Sequence, residues 1–465
     1  MIKCLSPHAR VPSRKAITNM ISDMFQRKKD LVKLHLTTIN YVSFTCDIWT
    51  DTFNSRSYLG LTCHYIDDYH PQSICLAVKH MNESHSADHI AAIIREVMAD
   101  YEISGDKVVT IVTDGAANMV NAANQISKSI WCVAHRLNLL VNDAIRGNKD
   151  VDNLIASVRS IVTFSKQSNN FADAIEKEQL RDNPRSLKLI QDVPTRWNSA
   201  YLMLDRFLAI RNYVKMALVK VHKEDMDISY EAVDLLNDIR DLLKPFYQMT
   251  NDVSGENYVT ISRIIPVVNN LSYVLSMVKV TSLTGLDLKK QLENGIEKRF
   301  GSIERVQLLA FATILDPRFK KVDFAAPSAC SSAIVSINNL LSDVPLTQSI
   351  ETEGDSDPLW VLHAKRCQQL VDNHGALASG FKHYLSSPTL ELNGDPLDFW
   401  RKNKESNHAL HNLALKHLSP PATSVPCERL FSKSGTIINE KKSRLKPKNV
   451  EMLCFLYSLP NCFKD

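Results

Sequence analysis

Tyr41-Val42-Ser43-Phe44-Thr45-Cys46-Asp47 alternates without a break. Val42, Phe44 and Cys46 fall on one side of an extended chain, and Ser43, Thr45 and Asp47 on the other, so the stretch reads as a strand ending on an aspartate. Two further strands are expected at Tyr58–Ile66 and Gln72–Lys79. The segment Asp67-Asp68-Tyr69-His70-Pro71 between them is short enough for a hairpin, which gives a three-stranded antiparallel meander. Upstream, Ile17, Met20, Ile21, Met24 and Phe25 recur at helical spacing. A leading helix therefore precedes the first strand.

Downstream, Ala87–Tyr101 has apolar residues at 90, 93, 94, 97 and 98 and stops at Ser104-Gly105, the pattern of an amphipathic helix. Lys107–Asp114 is apolar on both faces, as a covered central strand should be, and Gly115 breaks it directly after a second aspartate. Ile130-Trp131-Cys132 reads as a short fifth strand running into a helix at Val133–Ile145. Three hairpin strands followed by parallel crossovers predict an α/β fold with a mixed, RNase H-like sheet. From about 150 to 395 the patterns are helical, as in Ala200–Leu218 and Ala232–Met249, so a large all-helical insertion is expected. The stretch Ser342–Pro358, with Glu351, Glu353, Asp355 and Asp357, reads as a surface loop. The expected division is a helical segment at 1–40, the first part of the core at 41–150, the insertion at 151–395 and a segment at 396–465 that completes the core.

With 44% hydrophobic and 23% charged residues and only 13 glycines, the chain has the composition of a folded globular protein. It holds no apolar run of membrane-spanning length, and its start lacks the pattern of a secretory signal, so neither secretion nor membrane insertion is expected. Ten cysteines without Cys-x-x-Cys spacing suit a reducing compartment. The formal charge is only +4, yet residues 396–465 carry 12 Lys and Arg against 6 Asp and Glu, which is compatible with phosphate contact and equally with a solvated face.

Asp47 and Asp114 each end a strand of one sheet. Two such carboxylates, joined by a third from a helix, are what a phosphodiester-cleaving site needs to hold a pair of hard cations about 4 Å apart. Cys46-Asp47-Ile48-Trp49-Thr50, Val112-Thr113-Asp114-Gly115-Ala116-Ala117-Asn118-Met119 and Cys132-Val133-Ala134-His135-Arg136-Leu137-Asn138 resemble, in order and spacing, three motifs of the hAT superfamily of transposases. Thr195-Arg196-Trp197-Asn198-Ser199, Leu243-Lys244-Pro245-Phe246, Leu315-Asp316-Pro317-Arg318-Phe319-Lys320 and the segment from Pro421 through Glu428 to Leu456 continue the resemblance, which is nearest to the group whose members carry BED zinc fingers.

The resemblance implies a metal triad of Asp47, Asp114 and Glu428, using Mg²⁺ or Mn²⁺ if the chain is catalytically active. It also implies a positioning role for His135 beside them. Arg196 and Trp197 are implied to grip DNA, the cation on a phosphate and the ring on an unstacked base, so Trp197 is expected at the rim of the cleft, partly exposed. A tryptophan in a helical block also suits a core. Cys132 and His135 supply too few ligands for zinc. Nuclear location follows from the resemblance alone.

The chain shows no BED-finger spacing, so its own finger is expected to be missing. Cys46 and Cys427 replace the smaller or hydroxylic residues usual in the family. Two readings stay open: a DNA-binding, self-associating protein of transposase descent, and an active cut-and-paste transposase. Homodimerisation is expected through the helix after Pro447, where Val450, Leu453, Leu456 and Tyr457 sit on a surface apolar almost all round. One face of that helix would pack at home and the other on a partner.

Overall fold

The computed structural model describes residues 12–51, 55–342, 378–437, 445–460 and 463. A long helix, α1 (Arg14–Thr38), is capped by the Ser13 hydroxyl and leads into β1 (Val42–Asp51). β2 (Arg56–Asp67) and β3 (His70–Met81) follow as a hairpin. Its turn is tighter than the five residues expected: Asp68 and Tyr69 alone bridge the strands, both at positive φ (41° and 61°), the backbone that suits a right-twisted two-residue turn.

Then come α2 (Ala87–Asp100), β4 (Val108–Thr113), α3 (Ala117–Asn124), β5 (Ser129–Trp131) and α4 (Val133–Gly147). The sheet order is β3-β2-β1-β4-β5, with β1 antiparallel to β2 and β2 to β3, and β4 parallel to both β1 and β5. The fold is thus mixed α/β around a five-stranded mixed sheet, as the strand order required.

Helices alone fill the next stretch: α5 (Lys149–Gln167), α6 (Asn169–Asp182), α7 (Trp197–Lys220), α8 (Tyr230–Val253), α9 (Ile264–Met277), α10 (Leu283–Phe300), α11 (Gln307–Leu315) and α12 (Pro327–Ser342). α13 (Ser379–Ser386), α14 (Pro396–Lys402) and α15 (His408–Leu418) continue them. The acidic stretch after Ser342 lies outside the described residues. Phe207, Leu243, Phe246, Leu292, Phe311, Trp400 and Leu410 belong to one buried cluster that reaches Val112, Ile130 and Val133. The helical block is therefore continuous in packing with the β4–β5 side of the sheet.

One family-like motif, Leu315–Lys320, is structural here. Arg318 makes a bidentate ion pair with the fully buried Asp316 (2.9 and 2.6 Å), which also accepts from Ser262 Oγ (2.7 Å). Lys320 is buried as well and donates to the carbonyls of Tyr384, Ser387 and Pro388. Both charges are taken out of water with their partners supplied.

Residues 396–422 pack with the helical block, since Leu397, Trp400, Leu410, Ala414 and Ala422 all join its core. The return to the sheet falls near Thr423, later than the expected boundary at 396. There α16 (Val425–Ile437) lies on β1 and β2, and α17 (Pro447–Ser458) packs along the edge strand β3 and against α1. The polar side of β1 is covered as well: Ser43, Thr45, Thr62 and His64 are all buried.

α17 is buried twice, as its apolar circumference demanded, but both times by its own chain. Val450 and Cys454 pack with Tyr58, Cys75 and Val78. Phe455 and Leu459 pack with the core of the other face, Phe455 meeting Phe25 of α1 edge to face at 5.0 Å. Val450 is 1% exposed and so cannot also meet a partner. Leu453 and Leu456 are half-buried, and only Tyr457 of the four expected interface residues is exposed. Among the described residues, no helix is long and apolar enough to cross a membrane.

Candidate functional site

β1 and β4 pair in parallel through Thr45 and Val112, and continuing that register by two residues sets Asp47 level with Asp114. Asp47 does not end its strand, because β1 runs on to Asp51; it stands where pairing with β4 stops and only β2 remains alongside. Asp114 directly follows β4 and precedes Gly115 at φ +92°, a conformation strained for a residue with a Cβ. Its Oδ1 accepts from Ala116 N (3.0 Å), while Asp47 Oδ1 accepts from Ile48 N (2.8 Å). Each carboxylate thus has one oxygen turned to local backbone.

Glu428 is brought to these two by a set of anchors on the returning chain. Cys132, just after β5, accepts from Ser424 N (3.2 Å) and from His135 N (3.4 Å), and Val133 N donates to Ala422 O (3.2 Å). Cys427 Sγ donates to Thr45 O (3.2 Å) and lies within 3.5 Å of the Thr45 and Thr62 hydroxyls. Burial pushes this thiol up to about 12, so it keeps its proton and serves as a donor.

On the same helix, Phe431 sits over Gly60, the residue directly across from Asp47. A Cβ on Gly60 would come within 2.7 Å of the Phe431 ring. Phe431 also stacks on Trp49, and Trp49 on Tyr58. The motif tryptophan Trp49 therefore helps seat the helix that carries Glu428, while Arg429 ties its outer side to Glu256 (2.5 Å).

The electrostatics record the convergence. Asp47 is pushed up from 3.8 to about 7, first by burial, then by the Asp114 charge, with a smaller contribution from Glu428 and an opposing one from the Ile48 amide. Asp114 and Glu428 both act on Asp47, and a divalent cation is the species that would relieve that repulsion. Among the described residues, however, no three His, Cys, Asp or Glu side chains are gathered as a ready set of metal ligands. The carboxylates are near enough to repel yet do not form a closed cage.

Glu428 has a different partner in this arrangement. Arg196 Nη2 lies 3.6 Å from its Oε2, with both side chains partly in water. The loop bearing Arg196 is tied to α4, since Asn138 accepts from Trp197 N and donates to Thr195 O (both 3.3 Å). Ser199 closes the loop, accepting from Val193 N (2.7 Å). His135 occupies the first turn of α4, partly exposed, next to the Asp114 strand end.

Trp197 is not at the rim. It is 3% exposed, in the helical core, edge-on to Phe246 at 6.4 Å. The reason is its place in a stripe: Trp197, Ala200, Tyr201, Leu204 and Phe207 recur at helical spacing and all point inward. That spacing was visible in the sequence and carries the correction. Gly60, Cys132, Cys427 and Phe431, which assemble the site, were not singled out as doing so; only the close grouping of small and sulfur residues near the motifs could have suggested them.

Asp47 and Asp114 thus stand side by side on a mixed five-stranded sheet, and Glu428 follows on a helix hundreds of residues later. Family models agree in three regions: residues 45–140 match the ZBED1 RNase-like domain, 130–242 the ZBED1 RNase-like helical domain, and 381–459 the hAT family C-terminal dimerisation region. Zinc finger BED domain-containing protein 4 of Homo sapiens is 26% identical over 98% of this chain and 41% of its own length. Putative transcriptional regulator tpeD of Talaromyces stipitatus is 24% identical over 96% of the chain and 57% of its length. The Putative AC transposase of Zea mays is 24% identical over 97% and 61%. The chain is a relative of hAT transposases and BED zinc-finger proteins, and spans about two fifths to three fifths of the length of these relatives.

Proposed function

We propose that this chain is a DNA-binding, self-associating protein of hAT transposase descent, acting in the nucleus, whose RNase H-like core is split by the helical block and completed by α16 and α17. The observation that supports the reading is that Cys132, Ser424 and Cys427 anchor the start of α16 against the sheet, with Glu428 acting electrostatically on Asp47. DNA would run past the carboxylate edge, with Arg196 contacting a phosphate. Trp197 has no part in that contact, being enclosed. Self-association would use the exposed side of the C-terminal region, where Leu453, Leu456 and Tyr457 lie.

The second reading, an active transposase, is favoured by the three carboxylates all being present and by the charge crowding on Asp47. In that case Asp47, Asp114 and Glu428 would hold Mg²⁺ or Mn²⁺, which would activate the attacking water and stabilise the leaving oxygen. Glu428 would first have to leave Arg196, and a phosphate is the natural replacement partner for that guanidinium. His135 would orient the nucleophile or the strand.

Cleavage of nicked and hairpin DNA, with and without Mn²⁺ and with Asp114→Ala as control, separates the two. Metal-dependent cleavage lost in the variant establishes the second reading. DNA binding without cleavage establishes the first, and absence of both refutes each.

A further inference from the structure

One face of α17 is covered by α1, and α1 in turn carries an uncovered apolar flank. Its inner side, with Phe25, Val32 and Leu36, packs on the sheet and on α17. On another flank, Ile17, Met20, Met24, Leu31 and Leu34 are 44–67% exposed. With Arg27 they fall alternately three and four residues apart, the a and d positions of three successive heptads on a 25-residue helix. A 3.5-residue repeat of this kind is satisfied by another helix lying alongside, not by a flat or globular surface.

We infer that α1 pairs in parallel with α1 of a second copy of this chain. The flanking charges select both the occupant and its direction. In this register Asp23 and Asp30 occupy g positions, and Lys28 and His35 the e positions five residues on. Across a two-fold axis parallel to the helix, Asp23 of one chain meets Lys28 of the other, while His35 stays with Asp67 of its own chain (3.4 Å). An antiparallel pair would instead set aspartate against aspartate and base against base.

Arg27 at a d position interrupts the apolar seam, and its guanidinium is flanked on its own helix by Asp23 and Asp30, toward which its long stem can turn. The seam is also continuous with the region that matches the hAT dimerisation model, since α1 rests on α17 through the Phe25–Phe455 contact. The inference rests on the self-association proposed above and adds the α1 seam to the C-terminal surface named there.

Sedimentation of the full chain tests it. Met24→Asp with Leu31→Asp places unpaired charges in the seam and should weaken the dimer by about tenfold or more, with unchanged helicity because both residues are exposed. Arg27→Leu should tighten it. Asp23→Lys should weaken it, and adding Lys28→Asp should restore it, a rescue that the antiparallel arrangement does not give. A dimer indifferent to Met24→Asp with Leu31→Asp but lost in Leu456→Asp would overturn the α1 seam while keeping self-association. A monomer of the unmodified chain at micromolar concentration would refute self-association itself.

Discussion

Asp47→Asn should stabilise the protein above neutral pH, which is unusual for loss of a proposed ligand. The unfolded chain releases this proton near 3.8, whereas the folded chain holds it to about 7. Stability from this group is therefore complete below about pH 4 and falls as pH rises through 7, because the folded chain must then carry a buried charge beside Asp114. At about 1.4 kcal/mol per pH unit, the difference corresponds to about 4 kcal/mol at pH 8, an upper figure that side-chain movement and water entry reduce. Asparagine keeps the shape and an oxygen for the Ile48 amide but never ionises. Urea unfolding at about pH 3.5 and pH 8 should give near-equal stabilities at the lower pH and an advantage of about 2–4 kcal/mol for the variant at the higher. Mg²⁺ should narrow the gap by stabilising only the unmodified chain. Equal stabilities at pH 8 without metal would refute the charge crowding and the convergence inferred from it.

Three more outcomes follow from the packing. Trp197→Ala removes a core ring and should cost about 3–5 kcal/mol in chemical unfolding; a change below 1 kcal/mol would mean the ring is not enclosed. Gly60→Ala places a methyl against the Phe431 ring and should cost about 1–3 kcal/mol while weakening whatever DNA or metal binding depends on Glu428, so a variant of unchanged stability and binding would show that α16 does not need this close approach. Arg196→Ala should leave stability within about 0.5 kcal/mol, since its ion pair is exposed, yet lower the salt dependence of DNA binding by about one phosphate contact; an unchanged salt slope would remove Arg196 from the DNA path.

The sheet was legible because strand alternation and helix periodicity are local signals. Tyr41–Asp47 gave β1, the apolar run before Asp114 gave β4, and the glycine after it gave the break. The extension of β1 to Asp51 was not, because residues 48–51 pair only with β2 and lose the clean alternation of a covered face. The burial of the polar line Ser43, Thr45 and His64 was not legible either, as it depends on a helix near the other end of the chain. Thr45 bonds His64 at 3.0 Å, and burial holds that imidazole down near 3, so the pair is neutral and dry.

Trp197 shows the converse. Its neighbours Tyr201, Leu204 and Phe207 declared an inward stripe, and the motif resemblance outweighed a periodicity that was the better guide to exposure. For α17 the pattern demanded two burials correctly, but composition could not tell a neighbour from the same chain from one in another molecule. The third carboxylate was legible only by resemblance, because nothing local distinguishes Glu428 from other glutamates in a first helical turn.

The groove around Gly60 has a history during synthesis. All five strands are made once Trp131 has left the ribosome, but the helix that fills the groove begins at Val425. At about 5–20 residues per second, the roughly 300 residues between them take about 15–60 s to appear. For that interval Thr45, Thr62 and the bare backbone at Gly60 face water or a chaperone instead of Cys427 and Phe431. The nascent chain thus carries an open, polar-floored slot beside β1 and β2 until the helix that begins at Val425 is made.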